Sequence, residues 1–198
     1  MNLANKLTII RMLLVPIMVI IPFFNIQGQW LGIPITYWII NFIFIIASIT
    51  DKLDGYIARS RNEVTTFGKF LDPLADKILV LASLIILVEY KKIPSWIPII
   101  ILTREFIVSG YRLIAVEKGG QVIAASIWGK MKTGWQMSTC MFMTCDIVRL
   151  VEGFGWPSVV VTVWHIVELI AMYGALVLTI ISMIDYFYKN RNCFSTKE

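Results

Sequence analysis

Histidine and cysteine are nearly missing from this chain of 198 residues, which has one histidine, His165, and three cysteines. Cys140, Cys145 and Cys193 form no CxxC pair. An odd number of thiols in apolar or terminal contexts does not suggest a disulfide framework, and a lone imidazole speaks against zinc. Charge is scarce too, at 16% of residues, and no polar stretch is long enough for a separate soluble domain. What is present is apolar: 58% of residues are hydrophobic and the mean hydropathy is +0.75, far above an ordinary soluble domain. These values predict an all-α, polytopic membrane protein. It is expected to be a single integral-membrane domain over residues 1–198, with a short N-terminal juxtamembrane segment.

A helix that crosses a bilayer needs about 20 mostly apolar residues. Six stretches meet or approach that length, at about 9–25, 34–60, 69–90, 94–116, 126–151 and 158–188. Polar, Gly or Pro breaks separate them, at NIQGQWLGIP, SRNEVTT, KKIPS, EKGGQ and EGFGWPS. The first apolar run follows Lys6 and Arg11 as a secretory signal would, but no small-residue cleavage site closes it before Asn25, so it reads as a retained span. Six spans put both termini on one side of the membrane. With the N-terminus inside, most lysines and arginines fall on the cytoplasmic face, and only Lys91, Lys92 and Arg149 fall outside. The net charge of +5 therefore reads as contact with anionic lipid, and nucleic acid is not an expected partner.

Four of the six aspartates lie within residues 51–76. Asp51, Asp54, Gly55 and Ala58 recur at helical spacing on one narrow arc, and Gly68, Asp72 and Asp76 repeat the pattern after a short turn. Carboxylates at membrane depth are costly, and four close together raise one another's pKa unless a cation sits among them. Hard oxygen ligands favour Mg²⁺ or Mn²⁺, as one ion or a pair. Magnesium commonly binds substrate phosphates as well, so a phosphate or diphosphate substrate is expected. The glycines and Ala58 leave open helix surface beside the fixed charge of Arg59. The bland alternative is a solvated helix end whose aspartates pair with Lys52, Arg59, Lys69 and Lys77.

These residues resemble the signature of the CDP-alcohol phosphotransferase family, D-x-x-D-G-x-x-A-R, eight residues, then G-x-x-x-D-x-x-x-D. Asp51, Asp54, Gly55, Ala58, Arg59, Gly68, Asp72 and Asp76 fill every fixed place. The resemblance implies six helices, a cytoplasmic site and transfer of a phosphoryl-linked lipid group from a CDP-linked donor to an alcohol, with release of CMP. It implies that Asp51, Asp54, Asp72 and Asp76 hold two metal ions and that Asp76 is also the base. Gly55, Ala58, Arg59 and Gly68 would line the CDP site, with Thr8 facing it.

The acceptor must be read from other charges. Arg104 and Arg112 interrupt the fourth apolar run, and Lys130 and Lys132 open the fifth. With Arg11, they form a set of cations suited to an acceptor that carries its own phosphate. The alternative is that Arg104 simply pairs with Glu105 while the two lysines reach lipid headgroups. The segments TRE, GKMKT and NKLTIIR resemble the phosphatidylglycerophosphate synthase branch of the family, with Ala4 where that branch usually has proline. That branch implies CDP-diacylglycerol and glycerol 3-phosphate as substrates in a cell membrane, and a homodimer stays open. Rival readings are another acceptor within the family (inositol phosphate, serine or phosphatidylglycerol), a membrane prenyltransferase and a divalent-cation transporter.

Overall fold

In a computed structural model, residues 3–24, 26–60, 66–117 and 127–189 are described. Within them the side chains of residues 3–5, 52, 54–60, 66–73, 76 and 112–117 lie outside the described set. The chain is mostly helical and divides into two compact units, Met1–Ile93 with Cys140–Ile166, and Pro94–Thr139 with Val167–Glu198.

The first unit begins with α1, Leu3–Ile20, which tightens into a 3₁₀ turn at Ile21–Phe24. Pro22 explains the change, because proline disfavours α geometry in the residue before it. A small hairpin follows, β1 Gln29–Trp30 against β2 Ile33–Pro34, paired Gln29 to Pro34 and Trp30 to Ile33. Its two turn residues, Leu31 and Gly32, both have positive φ, 55° and 77°, as the tightest hairpin turns require. Next come α2, Ile35–Ser60, and α3, Thr66–Glu89, and α1 packs against both. Tyr37, Ile40, Phe44 and Ala47 form a buried stripe on α2 at spacings of three and four.

The second unit contains α4, Trp96–Glu117, most of α5, Ile127–Thr144, and the later part of α7, Ser158–Lys189. On α7 the buried positions Met172, Ala175, Thr179, Ser182 and Tyr186 again recur every three or four residues. Val108, Tyr111 and Tyr186 form an aromatic core, with the two tyrosine rings edge-on at 5.4 Å.

The continuous helix expected over 126–151 is broken. It ends at Thr144 and resumes as α6, Ile147–Gly153, with Asp146 in the left-handed region at φ 50°. The Asp146 carboxylate accepts from Lys92 Nζ at 2.8 Å and pairs with Arg149 Nε at 3.2 Å. Lys92 also donates to the carbonyl of Met143 at 2.9 Å. Asn41 Nδ2 donates to Thr144 Oγ1 at 2.9 Å. Side chains from α2 and from the turn after α3 thus satisfy the polar groups that the break releases.

Around the apolar core, several polar side chains are buried while many large apolar ones face outward. Thr8, Arg11, Asn41, Arg104, Lys132 and Glu168 are buried, while Leu13, Phe42, Phe106, Val163, Ile170 and Ile184 are exposed. Lipid would cover such a surface without cost. Among the described residues, length and composition mark two helices as able to cross a membrane, Lys6–Phe24 and Ser158–Lys189, with Ile35–Asp51 apolar but shorter. Only two of the six expected spans meet that test. α4 is interrupted by Arg104 and Glu105, and α5 by Lys130 and Lys132; for α2 and α3 the test covers only their described residues.

Candidate functional site

The buried stripe of α2 leads directly to Asp51, four residues beyond Ala47. α1 presents a matching face, on which Thr8, Arg11, Val15 and Met18 are all buried. Arg11 Nη1 donates to Asp51 Oδ1 at 2.6 Å. The Arg11 side chain is 0% exposed and that of Asp51 25%, so the carboxylate is the reachable partner. A charge-assisted hydrogen bond of this length is strong, and the planar guanidinium fixes the orientation of the Asp51 carboxylate. The side chains of Asp54, Gly55, Ala58, Arg59, Gly68, Asp72, Asp76 and Arg112 lie outside the described residues; α2, α3 and α4 carry them.

The donor set of the motif fits a hard divalent cation: it consists of carboxylates, with no thiolate or imidazole within residues 51–76. Asp51 keeps an open side while its orientation is fixed by a neighbour that water cannot reach.

The second unit holds a separate ionic cluster. Glu105 Oε1 accepts from Arg104 Nη1 at 3.0 Å and from Lys132 Nζ, and Arg104 Nη2 donates to Ser182 Oγ at 2.5 Å. Arg104 of α4 and Lys132 of α5 thus share the Glu105 carboxylate, and Ser182 of α7 joins the cluster through Arg104. Arg104 and Lys132 are 8% and 3% exposed. Two cations share this one carboxylate in a buried place. Lys130 is exposed on α5 and takes no part in this cluster. Arg11, expected among the acceptor-phosphate cations, has its guanidinium on Asp51.

A profile of the CDP-alcohol phosphatidyltransferase family matches residues 1–185. The chain belongs to that family. It is 40% identical over 98% of its length to a Bacillus subtilis protein named CDP-diacylglycerol–glycerol-3-phosphate 3-phosphatidyltransferase, itself covered to 98%. A Haemophilus influenzae protein of the same name is 39% identical, with 93% of this chain and 91% of the relative aligned. A Mycobacterium tuberculosis protein named probable phosphatidylglycerophosphate synthase is 36% identical, with 93% and 79% aligned.

Sequence reasoning about this phosphatidyltransferase missed Ser182 and the bridging role of Glu105. A trace of Ser182 was present: Ala175, Thr179 and Ser182 form a small, partly polar line at helical spacing in the very apolar α7. Glu105 had been read only as a neutralising neighbour of Arg104, because its contact with Lys132 joins residues 27 apart on different helices.

Proposed function

We propose that this chain transfers the phosphatidyl group of CDP-diacylglycerol to sn-glycerol 3-phosphate, giving phosphatidylglycerophosphate and CMP. The observation that carries the proposal is full-length similarity to a relative named for this reaction, together with a complete aspartate motif. The enzyme is read as one domain that crosses the membrane six times, with both termini and the site on the cytoplasmic side; the lysine and arginine distribution supports that orientation.

In this reading Asp51, Asp54, Asp72 and Asp76 hold Mg²⁺ or Mn²⁺, two ions for four carboxylates. Bound there, the metal supplies positive charge that neutralises the donor diphosphate and stabilises CMP as the leaving group. Gly55, Ala58 and Gly68 leave room for the cytidine diphosphate beside Arg59, and Thr8 offers a hydroxyl from α1. Arg104 and Lys132 bind the phosphate of the acceptor, with Arg112 and Lys130 adding to the positive field. An acceptor hydroxyl oxygen attacks the phosphatidyl phosphorus, the bond from that phosphorus to the CMP oxygen breaks, and Asp76 takes the hydroxyl proton.

The test is single-turnover CMP release from CDP-diacylglycerol in detergent–lipid micelles. Removing a general base costs about 10²- to 10⁴-fold. Asp76→Asn is expected to lose turnover on that scale, whereas unchanged release from the variant removes Asp76 from the role of base.

A further inference from the structure

We propose that Arg11 is a positioning residue of the metal centre, and that it acts through Asp51. The proposal rests on the metal role given above to the aspartate motif. Arg11 lies inside an apolar helix segment, IIRMLLV, where an arginine is expensive to place. It is fully buried, and its Nη1 meets Asp51 Oδ1 at 2.6 Å across the α1–α2 contact. A guanidinium with no exposed surface does not retreat to water when another cation arrives, so the contact is a fixed strut and not a swinging counter-ion. It occupies one carboxylate oxygen and leaves the other face of a 25%-exposed carboxylate open. That geometry aims Asp51 before any metal enters.

Two opposite predictions follow for removal of the guanidinium. If Arg11 only competed with metal for Asp51, its loss would tighten metal binding. If it positions Asp51, its loss weakens binding, and groups that orient ligating side chains typically contribute about 10- to 100-fold in metal affinity. The experiment is Mn²⁺ binding to the purified full-length protein in lipid nanodiscs, read by electron paramagnetic resonance of free Mn²⁺ without substrate. Arg11→Gln is expected to weaken binding by about tenfold or more, and Arg11→Lys by less, because it keeps the charge but loses the planar fork. In an Asp51→Asn background, Arg11→Gln is expected to change the affinity no further.

Unchanged or tighter Mn²⁺ binding in Arg11→Gln overturns the proposal, as does an equal further loss in the Asp51→Asn background. Should Arg11→Gln not fold, Arg11→Lys decides, and wild-type affinity in that variant counts against the strut. If Asp51→Asn alone leaves Mn²⁺ binding intact, it is the metal reading of the motif that fails.

Discussion

A lysine ammonium that is almost wholly buried keeps its charge only where an anion faces it, and for Lys132 that anion is Glu105. Arg104 meets the same carboxylate, so removal of the lysine does not strand Glu105, which retains its partner at 3.0 Å. Lys132→Met is therefore expected to leave the fold intact and to remove one phosphate-binding charge. A charge-assisted hydrogen bond contributes about 1.5–3 kcal/mol, roughly 10- to 150-fold in binding. Steady-state kinetics should show KM for glycerol 3-phosphate rising on that scale, with KM for CDP-diacylglycerol little changed. Equal shifts in both KM values, or none, would contradict an acceptor-phosphate role.

At the scale of elements, the interruption between α5 and α6 is held by ion pairs and not by glycine or proline. Asp146 is 2% exposed, and its carboxylate ties Lys92 from the turn after α3 to Arg149 of α6. Arg149 and Lys92 also lie over the ring of Tyr37, at 5.1 and 5.9 Å. Breaking a buried pair by removing one partner costs about 3–5 kcal/mol; here the half-exposed Arg149 relaxes into solvent, so the low end applies. Asp146→Ala should lower the thermal unfolding temperature of the purified protein while the folded fraction keeps its turnover per molecule. Normal stability would show that the cluster is not what holds the break. Nothing in the apolar run around TCDIV announces that break. Its cause is a left-handed aspartate with one partner, Lys92, from a distant segment, which periodicity does not register. The hairpin escaped for another reason: two-residue strands are too short to show alternation, although QWLGIP carried its glycine in plain view. The long helices were legible because burial every three to four residues is a local property of the chain.

Over the whole molecule, buried polar residues within an apolar core and large apolar residues on the outside suit a chain that works in lipid on a charged headgroup. The motif to which we assign the donor chemistry is visible in the sequence because its carboxylates and small residues sit within 26 consecutive positions, Asp51 to Asp76, on a helical repeat. The ionic cluster of the second unit was visible only in composition: Arg104 and Lys132 stand out in apolar runs, but Glu105 and Ser182, which tie them together across three helices, join them only after folding. Arg11 shows the same limit, since its pairing with Asp51 spans 40 residues.

The central claim is acceptor choice at a cytoplasmic site. It is tested by giving inside-out and right-side-out membrane vesicles, both loaded with CDP-diacylglycerol and Mg²⁺, a set of external acceptors: glycerol 3-phosphate, serine, inositol phosphate and phosphatidylglycerol. The products are read by lipid mass spectrometry. Phosphatidylglycerophosphate is expected only from glycerol 3-phosphate and only in inside-out vesicles. Turnover with another acceptor but not with glycerol 3-phosphate, or product confined to right-side-out vesicles, would contradict it.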